Sequence, residues 1–337
     1  MRKTIKKLLA ALLGAVVFCA GFAAAGLLYY ATSELRIGPL PQQFALKSGS
    51  SLRSAAQQMA EAGVLIHPEA FIILARVLGE AGNVKAGNYE VETLLTPYAL
   101  LRKITRGDYT LVAITFVEGW TFKQVRKALD EHQAVKHETV GLTDAEILKR
   151  LSINESSPEG WFFPDTYHFS HGASDLTILR RSYRLMQAHL AAQWEKRARD
   201  LPLAIPYEAL ILASIVEKET GKEEERPLIA AVFVNRLRLG MKLQTDPAVI
   251  YGMGEAFDGN LRKRDLTTDT PYNTYTREGL PPTPIAMPGL ASLTAALNPE
   301  NSNVLYFVSR GDGSSHFSRT LAEHARAVTK YQKSGRR

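Results

Sequence analysis

Two glutamates, Glu217 and Glu219, lie near the end of residues 209–221, a stretch whose other side chains are mostly apolar. A helix that is apolar almost all round is typical of a large core. Burial of an ionised carboxylate without a partner costs several kcal/mol, so such a group usually takes up a proton instead. A glutamate that is neutral at physiological pH can donate a proton to a leaving oxygen. The stretch therefore favours acid–base chemistry, against the alternative that both glutamates merely solvate a helix end beside Lys218 and Lys222.

The two glutamates cannot serve one small site, because residues two positions apart lie roughly 200° apart around a helix. Glu219 shares its face with bulky apolar residues such as Ile215, whereas Glu217 lies beside the polar Ser214. The more apolar surroundings favour Glu219 as the catalytic residue. Gly221 is expected to end the helix in the left-handed conformation, which glycine adopts without a Cβ clash.

Residues 213–220, Ala-Ser-Ile-Val-Glu-Lys-Glu-Thr, resemble the signature of the MltG (YceG-like) endolytic murein transglycosylases. Further matching segments follow in order over roughly residues 161–331: Val232-Phe-Val-Asn-Arg-Leu237, Met241-Lys-Leu-Gln-Thr-Asp-Pro-Ala-Val-Ile-Tyr-Gly252, Tyr272-Asn-Thr-Tyr275, Gly279-Leu-Pro-Pro282, Pro288-Gly289 and Tyr306-Phe-Val308. The resemblance implies that Glu219, the second glutamate of Glu-Lys-Glu, is the catalytic acid. Met287 departs from the small polar residue that relatives often carry, which argues against a ligand role for position 287.

The resemblance implies a lyase that cleaves β-1,4 bonds between N-acetylmuramic acid and N-acetylglucosamine within peptidoglycan strands. The products would carry 1,6-anhydro-N-acetylmuramic acid ends, and cleavage would terminate the elongation of nascent strands. Glu219 would act first as acid and then as base, so no second carboxylate, metal or cofactor is required, unlike the usual glycosidase pair. Two alternatives stay open. One is a hydrolytic muramidase with a second carboxylate such as Asp246, and the other is a non-catalytic peptidoglycan-binding scaffold.

Polar and aromatic residues downstream of Glu219 are candidates for binding the N-acetyl and hydroxyl groups of the substrate. Several of them could equally cap helices and close turns, as Asp-Pro often does. The proline-rich segment 272–289 predicts a stiff, largely non-helical loop, and a long ordered loop usually has a functional reason. Residues 161–163, Trp-Phe-Phe, could line a glycan groove, but an aromatic core plug is the favoured interpretation. The candidate substrate-binding residues are Glu217, Asn235, Gln244, Thr245, Asp246, Tyr251, Tyr272, Asn273 and Tyr275.

The formal net charge of +7 suits a partner that carries negative charge, such as anionic lipid, nucleic acid or an acidic cell-wall polymer. Much of the excess lies at the two ends of the chain, within residues 2–7 and 330–337. This distribution argues against nucleic acid, which needs a basic patch on the folded body. The sequence contains no metal-binding spacing, nucleophile elbow or phosphate-binding glycine motif. The predicted partners are peptidoglycan strands and a membrane, and peptidoglycan synthases are left open as protein partners.

An apolar run at residues 8–31 follows a basic N-terminus and contains the single cysteine, Cys19, so no internal disulfide can form. About 20 apolar residues span a bilayer, and this run is slightly longer. The positive-inside rule places the N-terminus in the cytoplasm and the rest outside, which implies a single-pass protein of the bacterial inner membrane with a periplasmic catalytic domain. The alternative is a signal peptide cleaved near residues 23–25, which the length of the run disfavours.

The order of elements predicts an α+β fold: an N-terminal transmembrane helix, a small LysM-like α+β module and a larger mixed α/β catalytic domain. The predicted boundaries are a cytoplasmic tail (1–7), the transmembrane helix (8–31), a linker (32–42), the module (43–107), an α+β connecting region (108–160) and the catalytic YceG-like domain (161–337). In its order of strand, helix, helix and strand the module resembles LysM modules, which bind polymers that contain N-acetylglucosamine. The alternative is a small spacer without glycan binding.

Overall fold

The computed structural model describes residues 2–38 and 40–333. The chain combines α and β structure and divides into two compact units. The first unit comprises residues 1–112 and 169–171, and the second comprises residues 113–168 and 172–337. The mixed architecture and the long apolar N-terminal helix agree with the predicted fold class. The LysM-like character of the module and the domain boundaries stay predictions.

The first unit contains two paired strands and three short helices after the N-terminal helix. Its elements are α1 (Arg2–Thr32), β1 (Gln42–Leu46), α2 (Leu52–Glu61), α3 (Pro68–Val77), β2 (Gly87–Val91) and α4 (Pro97–Arg106). β1 pairs antiparallel with β2, and the rings of Phe44 and Tyr89, which lie opposite each other, stack with centroids 5.2 Å apart. Both aromatic side chains are buried, so one face of the strand pair covers the core. The predicted order of strand, helix, helix and strand is present.

The C-terminal end of α1 is part of the core of the first unit. Leu27 and Tyr30 pack against this core, and Ala31 and Leu35 are buried in it. Leu35 belongs to the predicted linker, so that segment is packed against the unit at this position. The helix from Leu12–Thr32 has a mean hydropathy of 2.1 and could cross a membrane by its length and composition, a test that a signal sequence would also pass.

The second unit is mainly helical. Its elements are β3 (Leu111–Thr115), α5 (Phe122–Glu131), β4 (Val135–Lys136), α6 (Asp144–Leu151), β5 (Thr166–Ser170), β6 (Ala173–Ser174), α7 (Asp175–Glu195), α8 (Pro206–Glu219), α9 (Arg226–Arg238), α10 (Asp246–Met253), α11 (Lys263–Thr267), α12 (Leu290–Leu297), β7 (Tyr306–Ser309), β8 (Ser315–Ser318) and α13 (Leu321–Val328). β3 is hydrogen-bonded to β5, β4 pairs parallel with β6, and β7 pairs antiparallel with β8. β7 and β8 form a hairpin, and a capping box of Thr320 and Glu323 begins α13.

α8 is the central helix of the second unit and packs against α7, α9, α10 and α12. Residues 209–216 are all buried, as their apolar sequence predicts. Pro206 occupies the first turn, where the amide hydrogen that proline lacks would have no helical acceptor. Ser214 is the polar residue of the buried run. Its hydroxyl donates to the carbonyl of Ile211 and accepts the amide hydrogen of Ile285, so it also fixes the loop that packs on α8.

The end of α8 differs from the prediction. The helix ends at Glu219, and Thr220 follows it in an extended conformation. Gly221 does not adopt a positive φ, so its predicted role as a left-handed helix terminator is wrong. The physical reason lies in the turn itself, because the Thr220 hydroxyl accepts the amide hydrogen of Lys222 at 3.0 Å and this side-chain bond replaces a left-handed glycine.

The aromatic cluster at residues 161–163 is buried in the second unit. Trp161 stacks on Tyr207 with ring centroids 5.6 Å apart, and Phe162 stacks on Phe122 at 4.9 Å. The interpretation of this cluster as an aromatic core plug is confirmed. The predicted loop at 272–289 is also non-helical as expected, and it contains buried residues at 285–288 that pack into the same unit.

Candidate active site

Glu219, the last residue of α8, accepts a hydrogen bond of 2.5 Å from the hydroxyl of Thr245. Burial raises the pKa of Glu219 to about 7, and the bond from Thr245 opposes this rise. The charge of Asp246 raises the pKa further, whereas the charge of Arg236 lowers it. Because this pKa lies close to neutral pH, the carboxyl group can both donate and accept a proton, as an acid–base catalyst must.

Thr245 is buried and directly precedes α10. Its amide hydrogen donates to the Thr274 hydroxyl at 3.0 Å, and that hydroxyl donates to the Thr245 carbonyl at 3.3 Å. Gln244 has a φ of 52°, a conformation that costs a residue other than glycine on the order of 1–3 kcal/mol. Its amide hydrogen donates to the Thr274 carbonyl. The loop at 272–289 thus holds the turn that presents the Thr245 hydroxyl to Glu219.

Arg236 on α9 places a positive charge beside Glu219, although its side chain is almost fully buried. Its Nε donates to the carbonyl of Leu305 at 2.8 Å, and its Nη1 donates to the carbonyl of Leu243 at 2.7 Å. The guanidinium carbon lies 5.2 Å from the centroid of the Tyr306 ring. Neutral carbonyl groups and a ring face hold the guanidinium in place without cancelling its charge. That charge therefore acts on Glu219 and on any group that enters beside it.

Glu219 and Arg236 line an open cavity of about 470 Å³, a size typical of ligand sites. Asp246 and Tyr275 lie in the same wall, where the Tyr275 hydroxyl donates to Asp246 Oδ1 at 2.5 Å. Burial, reinforced by this hydrogen bond, raises the pKa of Tyr275, so its phenol keeps its proton at neutral pH. The other residues of the wall are Leu243, Gln244, Tyr306, Phe307, Val308, Ser309, Leu321, His324, Val328 and Gln332. Polar groups and aromatic rings therefore surround the carboxyl group of Glu219.

Glu217 faces a different set of partners, so the predicted separation of the two glutamates is confirmed. Its Oε1 accepts a hydrogen bond from Arg226 at 3.1 Å, and its Oε2 accepts the amide hydrogen of Gly289 at 2.9 Å. Glu118 lies 3.7 Å from the same guanidinium, and burial followed by the charge of Glu217 raises the pKa of Glu118. Both oxygens of Glu217 are used inside the protein, and the structure does not place it in the wall of the Glu219 cavity.

Four other predicted binding residues lie outside the cavity wall. Asn235 and Asn273 donate their side-chain amides to backbone carbonyls, and Tyr272 shares a hydrogen bond of 2.9 Å with the Thr283 hydroxyl. Tyr251 packs edge-on against Tyr272 with ring centroids 5.0 Å apart. These groups hold loops of the second unit together, and their assignment to substrate binding stays a prediction. The predicted residues that do meet at Glu219 are Gln244, Thr245, Asp246 and Tyr275.

Glu159 is another buried carboxyl group, and the sequence pattern did not single it out. Its oxygens accept the amide hydrogen of Phe122 and the hydroxyl hydrogen of Tyr251, each at 3.0 Å. Burial raises the pKa of Glu159 to about 7. The residue is only 4% exposed, so a glycan cannot reach it. We therefore assign it to the packing of α5 against α10.

Arg236, Tyr306 and His324 are among the residues of the cavity wall that the sequence reasoning missed. Arg236 belongs to the family-like segment 232–237, but it lies in the last turn of α9, where basic residues are common, so its residue type alone gave no signal. Tyr306 belongs to the segment 306–308 that resembles the family, but no chemistry was assigned to it. Its ring stacks on His324 with centroids 5.2 Å apart, and burial lowers the pKa of His324. Nothing in the sequence around His324 indicates that α13 reaches the cavity.

The chain is similar to known proteins over most of its length. The sequence model of the YceG-like family matches residues 44–330. A protein of Bacillus subtilis described as an endolytic murein transglycosylase is 32% identical over 304 residues, which cover 85% of this chain and 83% of the relative. A protein of the same description from Streptococcus pneumoniae is 27% identical over 320 residues, and the match spans 57% of its length. The crystal structure of a YceG-like protein from Listeria monocytogenes is 29% identical in sequence with a TM-score of 0.54, covering 84% of this chain and 97% of that one.

The family match includes the whole cavity wall except Gln332, and it extends well beyond the segment 161–331 that carries the resemblance in the sequence. It also includes most of β1 and the elements from α2 to α4 of the first unit, so the family is defined by both units. The prediction that the chain is an enzyme of the lytic transglycosylase class is confirmed by these relatives. The chain belongs to the YceG-like family.

Proposed function

We propose that this protein is a membrane-anchored endolytic transglycosylase that cleaves peptidoglycan strands between N-acetylmuramic acid and N-acetylglucosamine. The observation that carries the proposal is the environment of Glu219, a carboxyl group with a pKa of about 7 in the wall of an open cavity. The names of the relatives from Bacillus subtilis and Streptococcus pneumoniae support murein as the substrate. Cleavage within strands would terminate the elongation of nascent strands.

In the proposed reaction, protonated Glu219 donates its proton to the glycosidic oxygen as the bond from that oxygen to C1 of N-acetylmuramic acid breaks. The resulting carboxylate then accepts the proton of the C6 hydroxyl while the C6 oxygen forms a bond to C1. The products are a 1,6-anhydro end and a free 4-hydroxyl, and Glu219 is protonated again. The Thr245 hydroxyl supports the carboxylate stage because it donates to Glu219 Oε1.

The remaining groups of the cavity suit a sugar substrate. The side-chain amide of Gln244 and the Asp246 carboxylate can bond hydroxyl and N-acetyl groups of the substrate. Asp246 is held in position by the Tyr275 hydroxyl. We assign Gln244, Asp246 and Tyr275 to substrate binding. Glu217 does not line the cavity, so its predicted role in substrate binding is not part of this proposal.

A hydrolytic muramidase is the second candidate, because Asp246 lines the same cavity as Glu219 and could orient a water molecule. In that reaction the product would have a reducing end in place of the anhydro ring. The bond from Tyr275 occupies Asp246 Oδ1, which leaves one oxygen of this carboxylate for such a water. The two reactions differ in mass by one water molecule for each new end.

We further propose that α1 is retained as a single-pass anchor in the bacterial inner membrane, with the N-terminus in the cytoplasm and the catalytic domain in the periplasm. The apolar helix Leu12–Thr32 supports this topology, and the basic residues that precede it favour a cytoplasmic N-terminus. The module at 43–107 is proposed to be LysM-like and to bind glycan. Its order of strand, helix, helix and strand along the chain supports this. Deletion of the module should weaken binding to isolated murein without abolishing cleavage of short strands.

The decisive experiment digests purified murein with the parental protein, Glu219→Gln and Glu217→Gln, and counts anhydro ends and reducing ends by mass spectrometry. Glu219→Gln should lose activity by a factor on the order of 10² or more, the usual contribution of a positioned acid–base group. Glu217→Gln should keep its activity per folded molecule. Cooperative melting of both variants establishes that each is folded. Anhydro ends at the parental rate from Glu219→Gln would contradict the mechanism, reducing ends would favour the muramidase, and no products from the parental protein would favour a scaffold.

A further inference from the structure

Three apolar side chains are exposed around the place where α1 joins the first unit. Ile66 and Leu94 are each 52% exposed, and Tyr98 is 43% exposed. Tyr98 lies in the first turn of α4, one of the helices against which α1 packs. We call Ile66, Leu94 and Tyr98 the exit collar. Exposed apolar side chains that cluster beside a membrane helix call for an explanation that scattered ones do not.

Hydrogen bonds hold the neighbours of two collar residues against the end of α1 and the segment that directly follows it. Ile66 directly precedes His67, whose carbonyl accepts the Tyr30 hydroxyl at 3.2 Å. Leu94 directly precedes Leu95, whose carbonyl accepts the amide hydrogen of Leu35 at 2.8 Å. Since consecutive Cα atoms lie about 3.8 Å apart, the collar side chains start within a few ångströms of these contacts.

The length of α1 sets the depth of these contacts in a bilayer. A hydrocarbon core of about 30 Å takes roughly 20 helical residues, and the apolar run begins at Leu8, directly after Lys7. The outer boundary of the hydrocarbon then falls near Leu27, which already packs against the core of the first unit. Tyr30 would lie at the level of the lipid headgroups, where tyrosine is enriched. No free linker separates the span from the unit.

We propose that the exit collar is a lipid contact, in which Ile66, Leu94 and Tyr98 enter the interface of the outer leaflet around α1. Arg102 lies one turn after Tyr98 on α4, with its guanidinium carbon 5.9 Å from the tyrosine ring centroid. An arginine above an interfacial tyrosine suits a phosphate headgroup, because it presents positive charge where the apolar contact ends. The first unit is thereby seated on the membrane and cannot swing freely on α1. This inference rests on the proposed anchor and is independent of the glycan chemistry.

The test uses the full-length protein in phospholipid vesicles and an environment-sensitive fluorophore on one cysteine at a time. The native Cys19 lies in the middle of α1 and reports whether the helix is in the bilayer. In a Cys19→Ser background, Ile66→Cys and Leu94→Cys place the label on the collar from two sides. Ile205→Cys is the matched control, because Ile205 is 51% exposed and also precedes a helix that starts with proline. Nitroxide groups on the lipid headgroups serve as quenchers for the collar and control positions, and nitroxide groups on the acyl chains serve as quenchers for Cys19.

We expect lipid quenching and a blue-shifted emission at positions 66 and 94, and neither effect at position 205. A quenched label at Cys19 together with unquenched, water-like labels at both collar positions would overturn the lipid contact and leave the anchor intact. A blue shift without lipid quenching would show that protein, such as a second copy of the chain, covers the collar. No quenching at Cys19 would overturn the anchor and the collar together. Equal quenching at position 205 would show that any exposed apolar position contacts lipid, which also contradicts the proposal.

Discussion

The hydrogen bond from Thr245 to Glu219 makes a quantitative prediction about the pH dependence of activity. Thr245→Val removes the hydroxyl that donates to Glu219 Oε1 at 2.5 Å and keeps the size and branching of the side chain. The backbone bonds of this residue to Thr274 do not involve the lost hydroxyl, so the turn should persist. Because the hydroxyl stabilises the carboxylate, its loss should raise the pKa of Glu219 further.

The expected shift follows from the strength of the bond. A hydrogen bond to a charged group contributes about 1.5–3 kcal/mol. Each pKa unit corresponds to about 1.4 kcal/mol, so complete loss of the bond is equivalent to roughly 1–2 units. Water in the open cavity can replace part of the interaction, since Glu219 lines that cavity. We therefore expect the pKa of Glu219 to rise by about 1 unit in Thr245→Val.

The assay is the pH profile of kcat/KM on soluble glycan strands, which reports groups of the free enzyme. The parental protein should lose activity as the pH rises through about 7, the pKa of its catalytic acid. In Thr245→Val this alkaline limb should move to higher pH, whereas Thr245→Ser, which keeps the hydroxyl, should leave it in place. An unmoved or acid-shifted limb in Thr245→Val, in a protein that melts like the parent, would refute the assignment of the limb to Glu219.

Two further predictions concern stability. Glu217→Gln weakens the ion pair with the buried Arg226, while Glu118 stays 3.7 Å from the same guanidinium. We expect the free energy of unfolding, measured in urea, to fall by about 2 kcal/mol. Unchanged stability would contradict the buried pair. The pKa values of Glu219 and Glu159 are raised by burial from 4.5 to about 7, so the folded state binds protons that the unfolded state releases. The stability from these groups should be fully present below about pH 4.5 and lost as the pH rises through 7, and urea midpoints across this range check the sign. Glu159→Gln should flatten the dependence, and the same pH dependence in this variant and in the parental protein would contradict the raised pKa of Glu159.

Local sequence rules predicted the direction of the two glutamates but not their partners. The rotation of about 100° per helical residue separates Glu217 from Glu219 whatever the rest of the chain does. The partners come from distant segments, since Thr245 lies 26 residues after Glu219 in the chain and Gly289 lies 72 residues after Glu217. No periodicity within α8 contains this information, and Thr245 was a candidate only because its polar side chain could bond a sugar.

The polar residues Asn235 and Asn273 show a second limit of sequence reasoning. Their residue type correctly indicates hydrogen-bonding groups, but a buried loop also needs donors for its own carbonyls. Both side chains serve that need, as Asn235 bonds the carbonyls of Ser302 and Val304 and Asn273 bonds three carbonyls of a neighbouring turn. A polar residue in a motif therefore does not by itself distinguish a sugar contact from a structural contact.

The position of Glu219 as the last residue of the 14-residue α8 has an electrostatic consequence of its own. The aligned peptide dipoles of a helix leave a partial negative charge at its C-terminal end. That charge disfavours a carboxylate there by about 0.3–1 kcal/mol and leaves the neutral acid untouched. The backbone of this largely buried helix thus helps to keep the proton in place before cleavage. A change that unwinds the last turn of α8 would make Glu219 more like an ordinary glutamate, even with every side chain of the cavity wall preserved.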